Sequence, residues 1–83
     1  MKAKVYITLK QGVLDPQGKA VMSGLQSLGF NGVGDVRVGK FIEIELDHKS
    51  KEEAEASLKS MCEELLANTV IEDYSFEVAE NGK

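Results

Sequence analysis

From Val36 to Leu46, alternate residues are apolar with one interruption. Val36, Val38, Ile42, Ile44 and Leu46 share an even-numbered phase that passes straight through Lys40. A period of two marks a strand with one covered face, and the phase restricts how that strand can turn. A two-residue loop at Gly39-Lys40 sets Val38 opposite Phe41 and Val36 opposite Glu43. Glu43 and Glu45 would then face the core while Ile42, Ile44 and Leu46 faced water. Two carboxylates on a core face are too costly to accept. Two arrangements keep the phase: a three-residue loop, Gly39-Lys40-Phe41, or no loop. Without a loop, residues 33–47 form one strand of about 50 Å at roughly 3.3 Å per residue. That exceeds both the usual strand of ~20 Å and the breadth of a domain this small. Another subunit must then cover it, with Gly39 as the bend or bulge where the strand crosses between protomers, a segment swap.

The flanking stretches read as regular elements. In KAKVYITLK, Ala3, Val5, Ile7 and Leu9 point one way and Lys2, Lys4, Tyr6, Thr8 and Lys10 the other, which is strand patterning. After a turn at Gly12, Asp15 can cap a helix with Pro16 at its first position. Val21, Leu25 and Leu28 repeat at helical spacing, and Gly29 ends the helix. A second helix opens at Ser50, with Glu53 completing a capping box. Ala54, Leu58, Met61, Cys62 and Leu65 form its buried stripe, Lys51, Glu52, Glu55, Lys59 and Glu63 face water, and Asn68 is a left-handed stop. The last strand is IEDYSFEV, with Tyr74, Phe76 and Val78 on one side. The order predicts a single α+β domain over residues 1–83: β-α-β-α-β with one long bent central strand, helices on one face of an antiparallel sheet. It resembles the ferredoxin-like arrangement in a segment-swapped dimer.

A chain of 83 residues buries a modest share of its surface and leans on disulfides, a metal or a partner. The lone cysteine, Cys62, forms no intrachain disulfide, and one Cys with one His, His48, builds no ordinary zinc site. A partner is left. The net charge of −4 and the lack of a basic run argue against nucleic acid. No apolar stretch approaches the roughly 20 residues of a membrane helix. MKAKVYITLK alternates instead of forming a signal peptide's apolar block, so the expected location is the cytosol, with the mature chain starting at Met1.

GDVRVGKF spells the start of a phosphate loop, yet Phe41 replaces the hydroxyl residue and strand patterning, not a helix, follows. Cys62 lies on a buried stripe as an inert thiol. His48 falls in the polar turn DHKS, and Asp35, Arg37, Lys40, Glu43 and Glu45 read as the wet face of a strand. Tyr6, Tyr74 and Phe76 read as sheet-face packing or interface.

VYITLKQGVLDPQGKAV, GDVRVGKFIEIEL and MCEELLANTVIEDYSFEV together resemble the PurS family, the small subunits of phosphoribosylformylglycinamidine synthase. Thr69 stands where that family leads one to expect proline, and GFNGVGD is richer in glycine. The resemblance implies a subunit without catalytic residues or cofactors of its own. It also implies a homodimer formed through a swapped helix and strand, sometimes assembled further. Such a dimer would bridge a glutaminase subunit and a large synthetase subunit that uses ATP and magnesium to amidate formylglycinamide ribonucleotide. By motif, the bridging surface falls on Leu14, Asp15, Pro16, Gln17, Gly18, Arg37 and Lys40. A competing expectation is a free-standing ferredoxin-like regulatory module that binds a small metabolite at a dimer interface. It requires a true hairpin in the central stretch.

Overall fold

The computed structural model describes residues 1–47 and 50–79. The elements are β1 (Lys2–Leu9), α1 (Pro16–Ser27), β2 (Lys40–Glu45), α2 (Lys51–Met61), a π-helical turn (Cys62–Leu66) and β3 (Glu72–Ala79). The three strands form an antiparallel sheet in the order β2-β1-β3. Val5 lies between Ile42 and Phe76, and Ala3 between Ile44 and Val78. The even residues of β2 and β3 therefore share a face with the odd residues of β1, as the alternation requires. On the other face Lys4 sits between Glu43 and Glu77, opposite charges placed as cross-strand neighbours, and the Tyr6 and Phe41 rings stack at 5.3 Å. Met1 and Leu46 extend the pairing through backbone bonds of 2.7 Å and 3.0 Å, which seats Leu46 in the core.

Helix α2 covers the apolar face. Its start is fixed by Ser50, whose hydroxyl accepts from the Glu53 amide at 3.2 Å and donates to the Glu53 carboxylate at 3.3 Å. Ala54, Leu58 and Cys62 pack with Ala3, Val5, Ile7, Leu46 and Ala67 in the core. Leu65, expected on that stripe, is 82% exposed. The π turn accounts for this. Its bond from the Ala67 amide to the Cys62 carbonyl, 2.9 Å, spans five residues and widens the last turn. The added residue shifts the phase, so Leu66 and Ala67 turn inward and Leu65 outward. Asn68 is not a left-handed stop, since no residue other than glycine has a positive φ among those described. Its side chain instead accepts from the Val70 amide at 3.2 Å and closes a turn into β3.

Two further expectations are corrected. Residues 33–47 do not form one strand within the chain. Pairing within the chain begins at Lys40, and residues 34–39 join no strand of their own chain, so the three-residue hairpin is absent. The helices also do not share a face of the sheet. Only α2 packs broadly on it, while α1 and residues 30–38 stand off as an arm. Val21, Leu28 and Phe30 on that arm are 45%, 76% and 57% exposed. The departure from compactness is large: the radius of gyration is 16.2 Å, against about 12 Å for a compact domain of this length. Gly29, with φ +99°, ends α1 as expected. His48 lies outside the described residues.

The π turn makes a direct prediction. Leu58→Ala, at a fully buried site, is expected to cost roughly 3 kcal/mol of unfolding free energy, and Leu65→Ala less than about 0.5 kcal/mol. Urea unfolding at one protein concentration measures both, and equal losses would show that Leu65 packs in the core.

Candidate functional site

The arm meets the sheet at one carboxylate. Asp15 precedes α1, and its Oδ1 accepts from the Gly18 amide at 2.9 Å, capping the helix that Pro16 begins. Its Oδ2 accepts from the Val38 amide at 2.9 Å, binding the returning end of the arm. Arg37 closes the site. Its Nε lies 3.5 Å from Asp15 Oδ2, and its Nη2 donates to the carbonyls of Leu9 and Lys10 at 3.0 Å and 3.2 Å, at the end of β1. One side chain thus joins the start of α1, the end of the arm and, through Arg37, the end of β1. Asp15 is only 7% exposed. Its pKa is held below the ordinary carboxylate value, first by the Gly18 amide, then by the Val38 amide, with the Arg37 charge adding to them. The ionised form is the one these donors stabilise, so the junction weakens as pH falls through the depressed pKa.

Close backbone approach needs glycine at two points here. A Cβ on Gly18 would collide with the Val36 carbonyl oxygen, and one on Gly39 with the Ile7 carbonyl oxygen. Beside the junction is a cleft of about 260 Å³ lined by Ile7, Thr8, Asp15, Gln17, Gly39, Lys40 and Glu72, among others. Lys40 faces Glu72 at 3.6 Å, and Glu72 also accepts from the Asn68 amide at 2.7 Å.

The residues expected at a bridging surface divide by burial. Asp15 and Gly18 are buried and Arg37 is turned onto Asp15. Leu14, Pro16 and Gln17 are exposed on the outside of the junction, and Lys40 stands apart from it on Glu72. Sequence reasoning missed Glu72, the Val38 amide and the carbonyls of Leu9 and Lys10. DPQG signals the cap, but nothing in the sequence indicates where the second carboxylate oxygen goes.

The chemistry of the other candidates is limited. Cys62 is fully buried, and burial foremost, then the Glu63 charge, pushes its thiol up, away from the reactive thiolate. Tyr74 donates to Glu63 at 2.7 Å, and that bond foremost, then burial and the Glu63 charge, raises its pKa to about 12. Among the described residues no His, Cys, Asp and Glu cluster could hold a metal ion, and no helix is long and apolar enough to cross a membrane. GDVRVGKF leads into β2 with Lys40 paired to Glu72, so it lacks the helix start of a phosphate loop.

The family model described as PurS, phosphoribosylformylglycinamidine (FGAM) synthase, matches residues 2–80. The chain is 54% identical over 79 residues to the Bacillus subtilis phosphoribosylformylglycinamidine synthase subunit PurS, covering 95% of this chain and 93% of that protein. The solved structure of Bacillus subtilis PurS superposes with a TM-score of 0.83 at 54% identity, covering 95% of this chain and 98% of the other. A chain of PurLQS from Thermotoga maritima superposes with a TM-score of 0.84 at 33% identity, covering 92% and 93%.

The two glycine environments predict opposite outcomes for one substitution. Gly39→Ala pushes a methyl against backbone and is expected to cost more than about 1 kcal/mol, whereas Gly34→Ala, with open space around it, stays within about 0.5 kcal/mol of the parent. Thermal unfolding of the two variants side by side tests this, and a neutral Gly39→Ala would place the arm farther from β1.

Proposed function

The chain belongs to the PurS family of phosphoribosylformylglycinamidine synthase, and from that membership we propose that it is the non-catalytic bridging subunit of the enzyme. The synthase is a ligase of purine biosynthesis. In this reading a glutaminase subunit releases ammonia. A large synthetase subunit, with ATP and magnesium, places it on formylglycinamide ribonucleotide in the cytoplasm. This chain holds the two together.

The observation that carries the reading is the arm. Its apolar side chains are uncovered and the outer edge of β2 is unpaired among the described residues, so the chain offers exposed helix surface and open strand edge to a second copy. We infer a dimer, or a dimer of dimers, in which α1 and residues 33–38 of each protomer lie on the other's sheet, next to β2. Alternation supports this pairing, because Val36 and Val38 continue the phase of Ile42 and Ile44. Leu14, Pro16 and Gln17, with Lys40, form the surface offered to the other subunits, and Asp15, Gly18 and Arg37 shape it from behind. The metabolite-binding module is not favoured: it needs a hairpin that residues 34–39 do not make.

The bridging role predicts a difference between nitrogen sources. In the reconstituted synthase, glutamine-dependent amidination is expected to require this chain, and the reaction supplied with high external ammonium to require it much less. Equal dependence on the chain in both assays would mean that it organises the synthetase active site directly. A glutamine reaction indifferent to the chain would remove the bridging reading. Light scattering across a dilution series checks the dimer, and a folded monomer at micromolar concentration would exclude it.

A further inference from the structure

Whether the arm crosses to a second copy or folds back depends on what holds its base. The alternation of residues 36–46 is equally compatible with a three-residue loop at Gly39-Lys40-Phe41. A closed monomer is therefore a real competitor of the exchanged dimer, with residues 33–38 lying on β2 of their own chain. Folding back would lift Phe41 off the exposed Tyr6 ring and, at the buried end, break the bonds that tie Asp15 to the returning segment while leaving its helix cap on Gly18. The Val38 amide would leave Oδ2, and Arg37 would leave both Asp15 and the carbonyls of Leu9 and Lys10. Gly18 lets the Val36 carbonyl lie against the start of α1, and Gln26 Nε2 donates to the Val33 carbonyl at 3.2 Å, so helix and returning segment leave the sheet as one unit.

We propose that the Asp15–Arg37 junction is a latch that points the arm away from its own sheet and so commits the chain to exchange with a second copy. Asp15 and Arg37 are positioning residues for assembly. The inference rests on the dimer reading above and adds the cause of the exchange. The helix cap alone does not suffice, because it uses one carboxylate oxygen and the latch uses the other.

Asp15→Ser separates the two roles. Serine caps a helix about as well as aspartate, but its single hydroxyl cannot serve both the Gly18 and Val38 amides and carries no charge for Arg37. Arg37→Met keeps the apolar stem and removes the guanidinium. For both variants, sedimentation over a dilution series is expected to show a folded monomer and a dimer dissociation constant at least tenfold above the parent. Circular dichroism should show unchanged helix content. Dissociation constants within twofold of the parent would overturn the latch and leave the dimer standing. A monomeric parent would overturn the dimer first and the latch with it. Should either variant fail to fold, hydrogen exchange on the parent decides: the Val38 amide is expected to be protected as strongly as that of Val5, and a freely exchanging Val38 amide would overturn the latch.

Discussion

The arrangement of this chain depends on the two oxygens of Asp15. One holds the first turn of α1 and the other holds the Val38 amide, 23 residues along the sequence. Both donors are satisfied only when the carboxylate is ionised and the arm returns to the point from which it left. Arg37 neutralises the charge in a largely buried place and ties it to the last carbonyls of β1. An isolated buried carboxylate would be costly. One with two amides and a guanidinium is stable, and its geometry fixes the path of everything attached to it.

What the sequence revealed follows from the range of the interaction. Strand patterning is a local property, and β1 and β3 lie where alternation put them while β2 takes the second half of the alternating stretch, with Val5, Ile42 and Phe76 on one face. The caps of α1 and α2 are also local, and Asp15 and Ser50 both act as DPQG and SKEE suggest. Parity correctly excluded the two-residue hairpin. It left open whether residues 34–39 turn back in a three-residue loop or pair with a second copy, because the pattern of a strand waiting for a partner is the same as that of a strand already paired. The position of α1 was misjudged for a related reason: Val21, Leu25 and Leu28 announce an apolar stripe and do not say whose sheet it covers.

Leu65 is the other failure, and it has a different cause. At 3.6 residues per turn it continues the stripe of Ala54, Leu58 and Met61. The bond from Ala67 to Cys62 inserts one residue, and the stripe passes to Leu66 and Ala67 instead. No residue in CEELLA marks that change. It becomes intelligible only beside Asn68, whose amide donates to Glu72 and whose side chain turns the backbone into β3. At the other end of the site, Arg37 was taken for outward-facing because a charged residue on an alternating segment usually is. Its partner is brought near by tertiary structure alone.

The division between buried and exposed residues at the junction bears on how dimerisation and bridging relate. Leu14, Pro16 and Gln17 are covalent neighbours of the latch, so in the proposed assembly a subunit resting on them lies against the same backbone that sets the direction of the arm. A binding partner shifts such an equilibrium only by as much as it prefers one arm position over the other. A surface built on the latch therefore favours the exchanged dimer whenever it favours binding. Lys40 differs. Its side chain is exposed and its ammonium rests on Glu72, outside the Asp15 network, so a change there would alter the proposed contact surface without releasing the arm. In that assembly, bridging and dimer formation would be separable at Lys40 and coupled at Asp15. In the proposed assembly, the exposed residues offered to other subunits and the direction of the arm would be held by the same carboxylate.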